Sequence, residues 1–257
     1  MRTLLLLSTL LCSCHSGGPG WPDAPAPATE SPELQLYKQR YDAALGTQLT
    51  ATLTRAEVLA EIAGTRVLWL GDQHTDAGLH ARQRELLAEL VARGERPVLV
   101  LEAVGAEDDA ALARFLTGQW SLPELRLALA VRWPGSWLDA ADVDAAHYRA
   151  LLAFAAREQL PVHGLEPTPR LPLAERDPYI ATRVQKLAAQ HPDRLLVVVV
   201  GTAHLAGAGD LVRRVGLPAV ALAASLPERL ATPAAAAAEF VRSDRGFVFW
   251  SRLRPGP

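Results

Sequence analysis

Leu195-Leu196-Val197-Val198-Val199-Val200-Gly201-Thr202-Ala203-His204 is the stretch from which the fold can be read. A run this short, β-branched and apolar at every position rather than at every second one, is a strand buried on both faces, as in a parallel sheet. It stops at Gly201, and His204 follows. The same spelling occurs earlier: Val67-Leu68-Trp69-Leu70 runs into Gly71-Asp72-Gln73-His74. Both are Gly-x-x-His directly after a buried strand, where glycine permits a sharp exit and the imidazole can point across the rim of the sheet.

Working outward, each strand is followed by a helical pattern. From Gly78 apolar residues recur at Leu79, Leu86, Leu87 and Leu90 up to Gly94. Val98 to Leu101 is a second buried strand ending at Glu102, followed by a helix over Ala106 to Leu116. Pro161 to Leu165 is a third, and Asp177-Pro178 supplies an N-cap and a first helical residue for a helix toward Gln190. Thr54-Arg55-Ala56-Glu57 has capping-box spacing for a helix that ends at Gly64. Ala219 to Leu222 and Phe247 to Trp250 add two outer strands. Helical stretches at Pro123 to Ala130 and Asp142 to Glu158 belong to an insertion over about 106–158 that can serve as a lid. The expectation is an α/β fold: a mostly parallel sheet, helices on both faces, right-handed crossovers and a helical insertion, in one domain over 34–257.

The ends of the chain read differently. Of 257 residues, 49% are hydrophobic and 21% charged, and the formal net charge is -2. That is the composition of a soluble globular protein, without the basic footprint that nucleic-acid binding needs. Both cysteines, Cys12 and Cys14, fall in the first fourteen residues, so the folded body holds neither a disulfide nor a thiolate metal site. Arg2 followed by the apolar Leu4 to Leu11 has the form of a secretion signal too short to span a bilayer. Leu11-Cys12-Ser13-Cys14 resembles the bacterial lipobox, with Cys14 the residue to be acylated. Residues 1–14 are thus expected as a lipoprotein signal peptide and 15–33, rich in Gly, Pro and Ala, as a flexible tether. The implied location is the bacterial cell envelope, with a lipid anchor in a membrane.

Ligands of open parallel sheets bind beyond the carboxyl ends of the strands. Those ends carry Asp72 and His74, Glu102, Glu166, and His204. Two imidazoles with one or two carboxylates make a divalent-metal set, or a general base with the partner that orients it. The metal set is His74, Glu102 and His204; the catalytic set adds Asp72. His80 and Gln83, on the helix after the first motif, can lean toward the same opening. Trp133, Trp137, His147 and Tyr148 fall in the insertion, where aromatics wall a flat ligand or pack the lid, and imidazole and phenolate both serve as axial ligands of haem. His163 reads as a core residue within its strand and His191 as a solvated helix end.

Taken together, Gly71-Asp72-Gln73-His74 with His80 and Gln83, Glu102, and Gly201-Thr202-Ala203-His204 resemble the ChaN-like family of haem-binding lipoproteins. Phe115-Leu116-Thr117-Gly118, the Trp133 to Trp137 stretch, His147-Tyr148, Leu160 to Arg170 and Val197 to Leu205 follow in the family's order. The sequence departs from that pattern at Asp72, where the family has glutamate, and at Glu166, where it has asparagine.

The resemblance implies an envelope lipoprotein that binds haem in iron uptake, with haem or another small ligand as partner, and it admits a homodimer. Haem contacts would come from His74, His80, Gln83, Tyr148 and His204, with Tyr148 the first candidate for the iron and Tyr179 the second. The wider superfamily, which includes Tiki and TraB proteins and erythromycin esterases, implies the alternative: a metal-dependent hydrolase or protease using Asp72, His74, Glu102 and His204. Between a binding protein and an enzyme the residues alone do not choose.

Overall fold

The computed structural model describes residues 32–132, 136–207 and 209–251. The signal peptide, Cys14, all but the end of the tether, and Trp133 lie outside the described residues. Eight strands form one sheet: β1 Leu49–Leu53, β2 Val67–Asp72, β3 Val98–Gly105, β4 Val162–Glu166, β5 Leu196–Gly201, β6 Ala219–Ala223, β7 Phe240–Ser243 and β8 Val248–Trp250. Their order is β1-β7-β8-β6-β2-β5-β3-β4. From β8 to β4 all neighbours are parallel, and β1 and β7 close the far edge antiparallel. The fold is therefore α/β with a mostly parallel sheet, as the buried runs require.

Ten helices flank the sheet among the described residues: α1 Pro32–Leu45, α2 Arg55–Ala63, α3 Ala77–Ala92, α4 Asp109–Leu116, α5 Leu122–Arg132, α6 Ala145–Glu158, α7 Leu173–Gln190, α8 Thr202–Leu205, α9 Leu211–Val215 and α10 Pro233–Ala237. Every residue of β2, β3 and β5 is buried because both faces are covered. Leu68 and Leu70 face one core with Leu79, Leu86, Leu112, Leu125 and Leu152, while Val67 and Trp69 face the other with Ile180, Val184, Leu187 and Leu211. Alternate side chains of one strand thus feed two cores.

Local chemistry sets several boundaries. Thr54 and Glu57 form the expected capping box of α2, with each side chain bonded to the other residue's backbone, and Gly64 closes the helix. The carboxylates of Asp76 and Asp144 cap α3 and α6 by accepting the N–H groups of Leu79 and His147.

Three expectations need correction. The helix read as starting at Pro178 begins at Leu173, with Pro178 inside it. Asp177 is not its cap, because its carboxylate is engaged elsewhere. The segment read as a lid is part of the packed layer, since Leu112, Leu125, Leu129, Leu151 and Leu152 of α4, α5 and α6 join the first core. Finally, Gly71 and Gly201 are absent from the glycines with positive φ, so neither turns the chain by backbone freedom. What they provide is room. A Cβ on Gly71 would lie 2.5 Å from Thr202 Oγ1, and one on Gly201 would stand 3.4 Å from Glu102 Oε2, 3.5 Å from a carbon of His204 and 3.5 Å from a carbon of His74.

Candidate functional site

That last measurement locates the site. His74 after the end of β2, Glu102 within β3 and His204 after the end of β5 converge on the bare α-carbon of Gly201. β2, β5 and β3 are adjacent in the sheet, so the loops that leave them meet at one rim. The Thr202 hydroxyl donates to the backbone carbonyl of Asp72 at 3.3 Å and accepts the N–H of Ala224 at 3.2 Å, which fixes α8 against β2 and the end of β6.

On one side of this point lies a network built on Asp72. Oδ2 accepts the Tyr148 hydroxyl at 2.6 Å and the Nδ1–H of His74 at 3.1 Å, while Oδ1 faces His80 Nε2 at 2.7 Å. The other ring nitrogen of His80 meets Asp144 Oδ2 at 2.9 Å. Burial alone would raise the pKa of Asp72, but its hydrogen bonds to His74, His80 and Tyr148 hold it well below the usual carboxylate range. Burial opposes the charge on His80, and the bonds to Asp72 and Asp144 outweigh it, so its pKa moves up. His147 stacks on the His80 ring at 3.9 Å and takes a hydrogen bond from Arg84 at 3.0 Å. Burial and the adjacent His80 charge push it down to about 3, so His147 is neutral.

His80 and Gln83 therefore do not lean into an opening. Both are buried in the floor, where the Gln83 amide donates to the Gly71 carbonyl at 3.0 Å. Tyr148 is also in the floor, 1% exposed, its hydroxyl committed to Asp72. Burial and the Asp72 charge push its pKa upward, which keeps the phenol protonated. The rim residue is His74. Its side chain is 35% exposed and its ring lies 4.3 Å from that of Trp137. Tyr179, on α7, forms no contact with this network among the described residues and is packed against the second core.

On the other side lies a cluster around Glu102. Its Oε2 accepts the Gly201 N–H at 2.6 Å and its Oε1 faces His204 Nε2 at 3.4 Å. The Nδ1–H of His204 donates to Asp177 of α7, which explains why that carboxylate caps nothing. Burial disfavours the imidazolium, but hydrogen bonds to Asp177 and Glu102 push His204 up to about 9. Glu102, Glu166 and His204 offer ligand atoms within 4.8 Å of one another. In this grouping Glu166 stands with Glu102 and His204, while the Nδ1 of His74 is turned to Asp72. Sequence reading ranked Glu166 only as a strand end and missed Asp177, Arg170 and Arg176.

Those arginines decide what the cluster suits. Arg176 lies 3.3 Å from Glu166 and 4.0 Å from Glu102, and Arg170 lies 3.6 Å from each. One buried oxygen, Glu166 Oε2, keeps no hydrogen-bond partner. Burial first, and the Glu102 charge second, raise the pKa of Glu166. The donor atoms are of the kinds that bind zinc or manganese. As arranged, however, two guanidinium groups and a protonated imidazole already balance the carboxylates, and a divalent ion does not fit without displacing them. The arrangement fits an acid–base pair instead.

A cavity of about 650 Å³, lined by Leu205, Val212, Ala219 and Phe247 among others, opens on the second core and shares no lining residue with either cluster.

The comparisons agree with the motifs. Residues 58–172 match the family model described as haem-binding uptake, Tiki superfamily, ChaN. The span contains Asp72, His74, Glu102, Tyr148 and Glu166 and stops short of His204. Over this span, less than half of the chain, the sequence is similar to that family's model. No curated protein matches the chain. Among solved structures it is similar to the type III effector HopBA1, with a TM-score of 0.51 at 15% identity over 75% of this chain and 90% of that one. It is also similar to a mutant erythromycin esterase, EreC, in its open conformation, with a TM-score of 0.50 at 13% identity over 66% and 72%. A third similar structure, ChaN of Campylobacter jejuni with cofacially bound haem, has a TM-score of 0.47 at 12% identity over 68% and 88%. At such identities the first two show a shared fold.

Proposed function

We propose, on the ChaN-like match of residues 58–172, that this chain is an exported haem-binding protein of the bacterial envelope in which His74 takes the iron. The observation that carries the reading is the split environment of His74. Its Nδ1 is held by Asp72 at 3.1 Å, while its ring, 35% exposed, lies beside that of Trp137 at the rim. A carboxylate that accepts the Nδ1–H in this way fixes the tautomer of a metal-binding imidazole and makes its other nitrogen a better donor. Haem is then cargo, bound at the rim by one iron bond and by apolar contact with the Trp137 ring. Tyr148 and His80 act through Asp72, which they orient and keep charged. The test is optical: adding hemin should produce a Soret band whose position depends on His74.

The envelope address rests on Cys14. Acylation there, with a tether to residue 33, lets the domain stay folded while anchored. Cys14→Ala should abolish fatty-acid labelling and release the protein to the soluble envelope fraction, while label persisting on that variant would refute the assignment.

A second reading is favoured by the Asp177–His204 pair beside Glu102. An imidazolium with a pKa of about 9, presented to a buried carboxylate, is a general acid, and His74 is the base across the same rim. This makes the cluster a hydrolase site that needs no resident metal. Asp177→Asn should then lower hydrolysis of a simple aryl ester by ~10²–10⁴-fold, as loss of a positioned proton donor does, and leave the hemin spectrum unchanged. Equal ester turnover in wild type and Asp177→Asn would exclude it.

A further inference from the structure

Beyond both readings, a pair of histidines lies on the outer edge of the sheet, away from the rim. His163 of β4 and His191 at the end of α7 face each other with 3.2 Å between their Nε2 atoms. β4 is the edge strand, and Glu166 is three residues further along it, roughly 10 Å at 3.3 Å per residue. The pair therefore belongs to neither cluster described above.

Each ring is held in place independently. Asp109 accepts the Nδ1–H of His163 at 2.7 Å, the Gly164 N–H at 2.9 Å and a hydrogen bond from Arg183 at 2.5 Å. With its proton on Nδ1, His163 presents a lone pair at Nε2. The turn that carries His191 is clamped by Arg66, which donates to the carbonyls of Ala188 at 3.1 Å, His191 at 3.0 Å and Pro192. The His163 ring is 20% exposed, and His191 borders exposed residues Pro192 and Asp193, so an ion has access from solvent.

We propose that His163 and His191 form a binding site for a late divalent transition ion, such as zinc or copper(II), with water completing its coordination. Two metal–nitrogen bonds of 2.0–2.1 Å meeting at a tetrahedral angle separate their nitrogens by about 3.3 Å, close to the 3.2 Å between these two atoms. The Asp109–His163 contact is the carboxylate–histidine support that such sites use to fix the tautomer. On binding, the neutral His191 ring takes its other tautomer, its one proton moving from Nε2 to Nδ1 by exchange with solvent, so that both Nε2 lone pairs face the ion and no net proton is released. Imidazole donors suit zinc, copper and nickel and disfavour magnesium and calcium.

The test uses the full chain with Cys12→Ser and Cys14→Ser, which removes the thiols as competing ligands. Zinc titration by calorimetry should show one site that weakens at least tenfold in His191→Ala and persists in His204→Ala. His163→Asn should weaken it equally and serves as the second variant. Copper(II) bound at the same site should show two nitrogen ligands by paramagnetic resonance. Zinc titrations that superpose for the parent and His191→Ala would overturn the proposal, as would binding lost in His204→Ala but kept in His191→Ala. Neither result depends on whether hemin binds.

Discussion

The hydroxyl of Tyr148 donates to Oδ2 of Asp72 at 2.6 Å, across 76 residues of sequence. This bond joins α6, the helix before β4, to the last residue of β2, and it decides two roles at once. The Tyr148 hydroxyl is committed to Asp72, and Asp72 is fixed where it can hold His74.

Tyr148→Phe follows directly. Phenylalanine keeps the ring contacts with Trp137 and His147 and removes one donor from a buried carboxylate. Loss of a hydrogen bond to a charged group costs about 1.5–3 kcal/mol, so the urea midpoint should fall. The hemin Soret maximum should stay where it is. A shifted maximum with unchanged stability would return the iron to the phenol.

Stability should peak near pH 6.5. His204 is raised to about 9 in the fold, so its contribution is complete below its ordinary 6.5 and is lost as pH climbs from there to 9. The loss is on the order of 3 kcal/mol at 1.36 kcal/mol per pKa unit, and His80 adds to it in the same direction. His147, depressed to about 3, contributes fully above 6.5 and loses its share as pH falls toward 3, and Asp72 loses its share at still lower pH. Denaturation profiles in EDTA should show that His204→Gln flattens the alkaline limb. An alkaline limb of unchanged slope in that variant would contradict the assigned ion pair.

Arg176 is expected to matter more than its sequence suggests. It is the nearer of the two cations that face Glu166, and removing one partner of a buried ion pair costs about 3–5 kcal/mol. Arg176→Met should be destabilised by that order, with Arg170 limiting the loss. The same change should raise affinity for manganese, which prefers carboxylate donors. Manganese affinity equal to the parent's would count against the view that the arginines occupy the role of an ion.

Much of this architecture is legible in the sequence, for a physical reason. β2, β3 and β5 are buried on both faces, so their apolar runs are uninterrupted up to Asp72, Glu102 and Gly201, although β3 itself continues past the buried Glu102 to Gly105. β1 is at the edge. β1 alternates half-buried with exposed residues, reads LTATL, and carries no comparable signal. Site residues at strand ends are found by position, whereas Asp177 and Arg176 reach the site from a helix and nothing in their spacing says so. Asp177 before Pro178 has the spelling of a helix cap, and only the approach of His204 reveals its use. Glycine is read correctly as a marker and incorrectly as to cause, since Gly71 and Gly201 supply space rather than a turn.

Gly71→Ala tests that last point. Its methyl would press on Thr202 Oγ1, on the Leu222 carbonyl at 3.0 Å and on Ala223 Cα at 3.1 Å. Overpacking of this kind costs about 1–3 kcal/mol, and here it would also push α8 and His204 off the rim. A melting temperature equal to wild type would show that the strand can yield without cost.

The account rests most on His74, and a hemin titration of wild type, His74→Ala and Tyr148→Phe followed at the Soret band tests it most directly. Wild type and Tyr148→Phe should give the same band, and His74→Ala should lose or shift it. A wild type that gives no band, or a band that His74→Ala leaves unmoved, would contradict the claim.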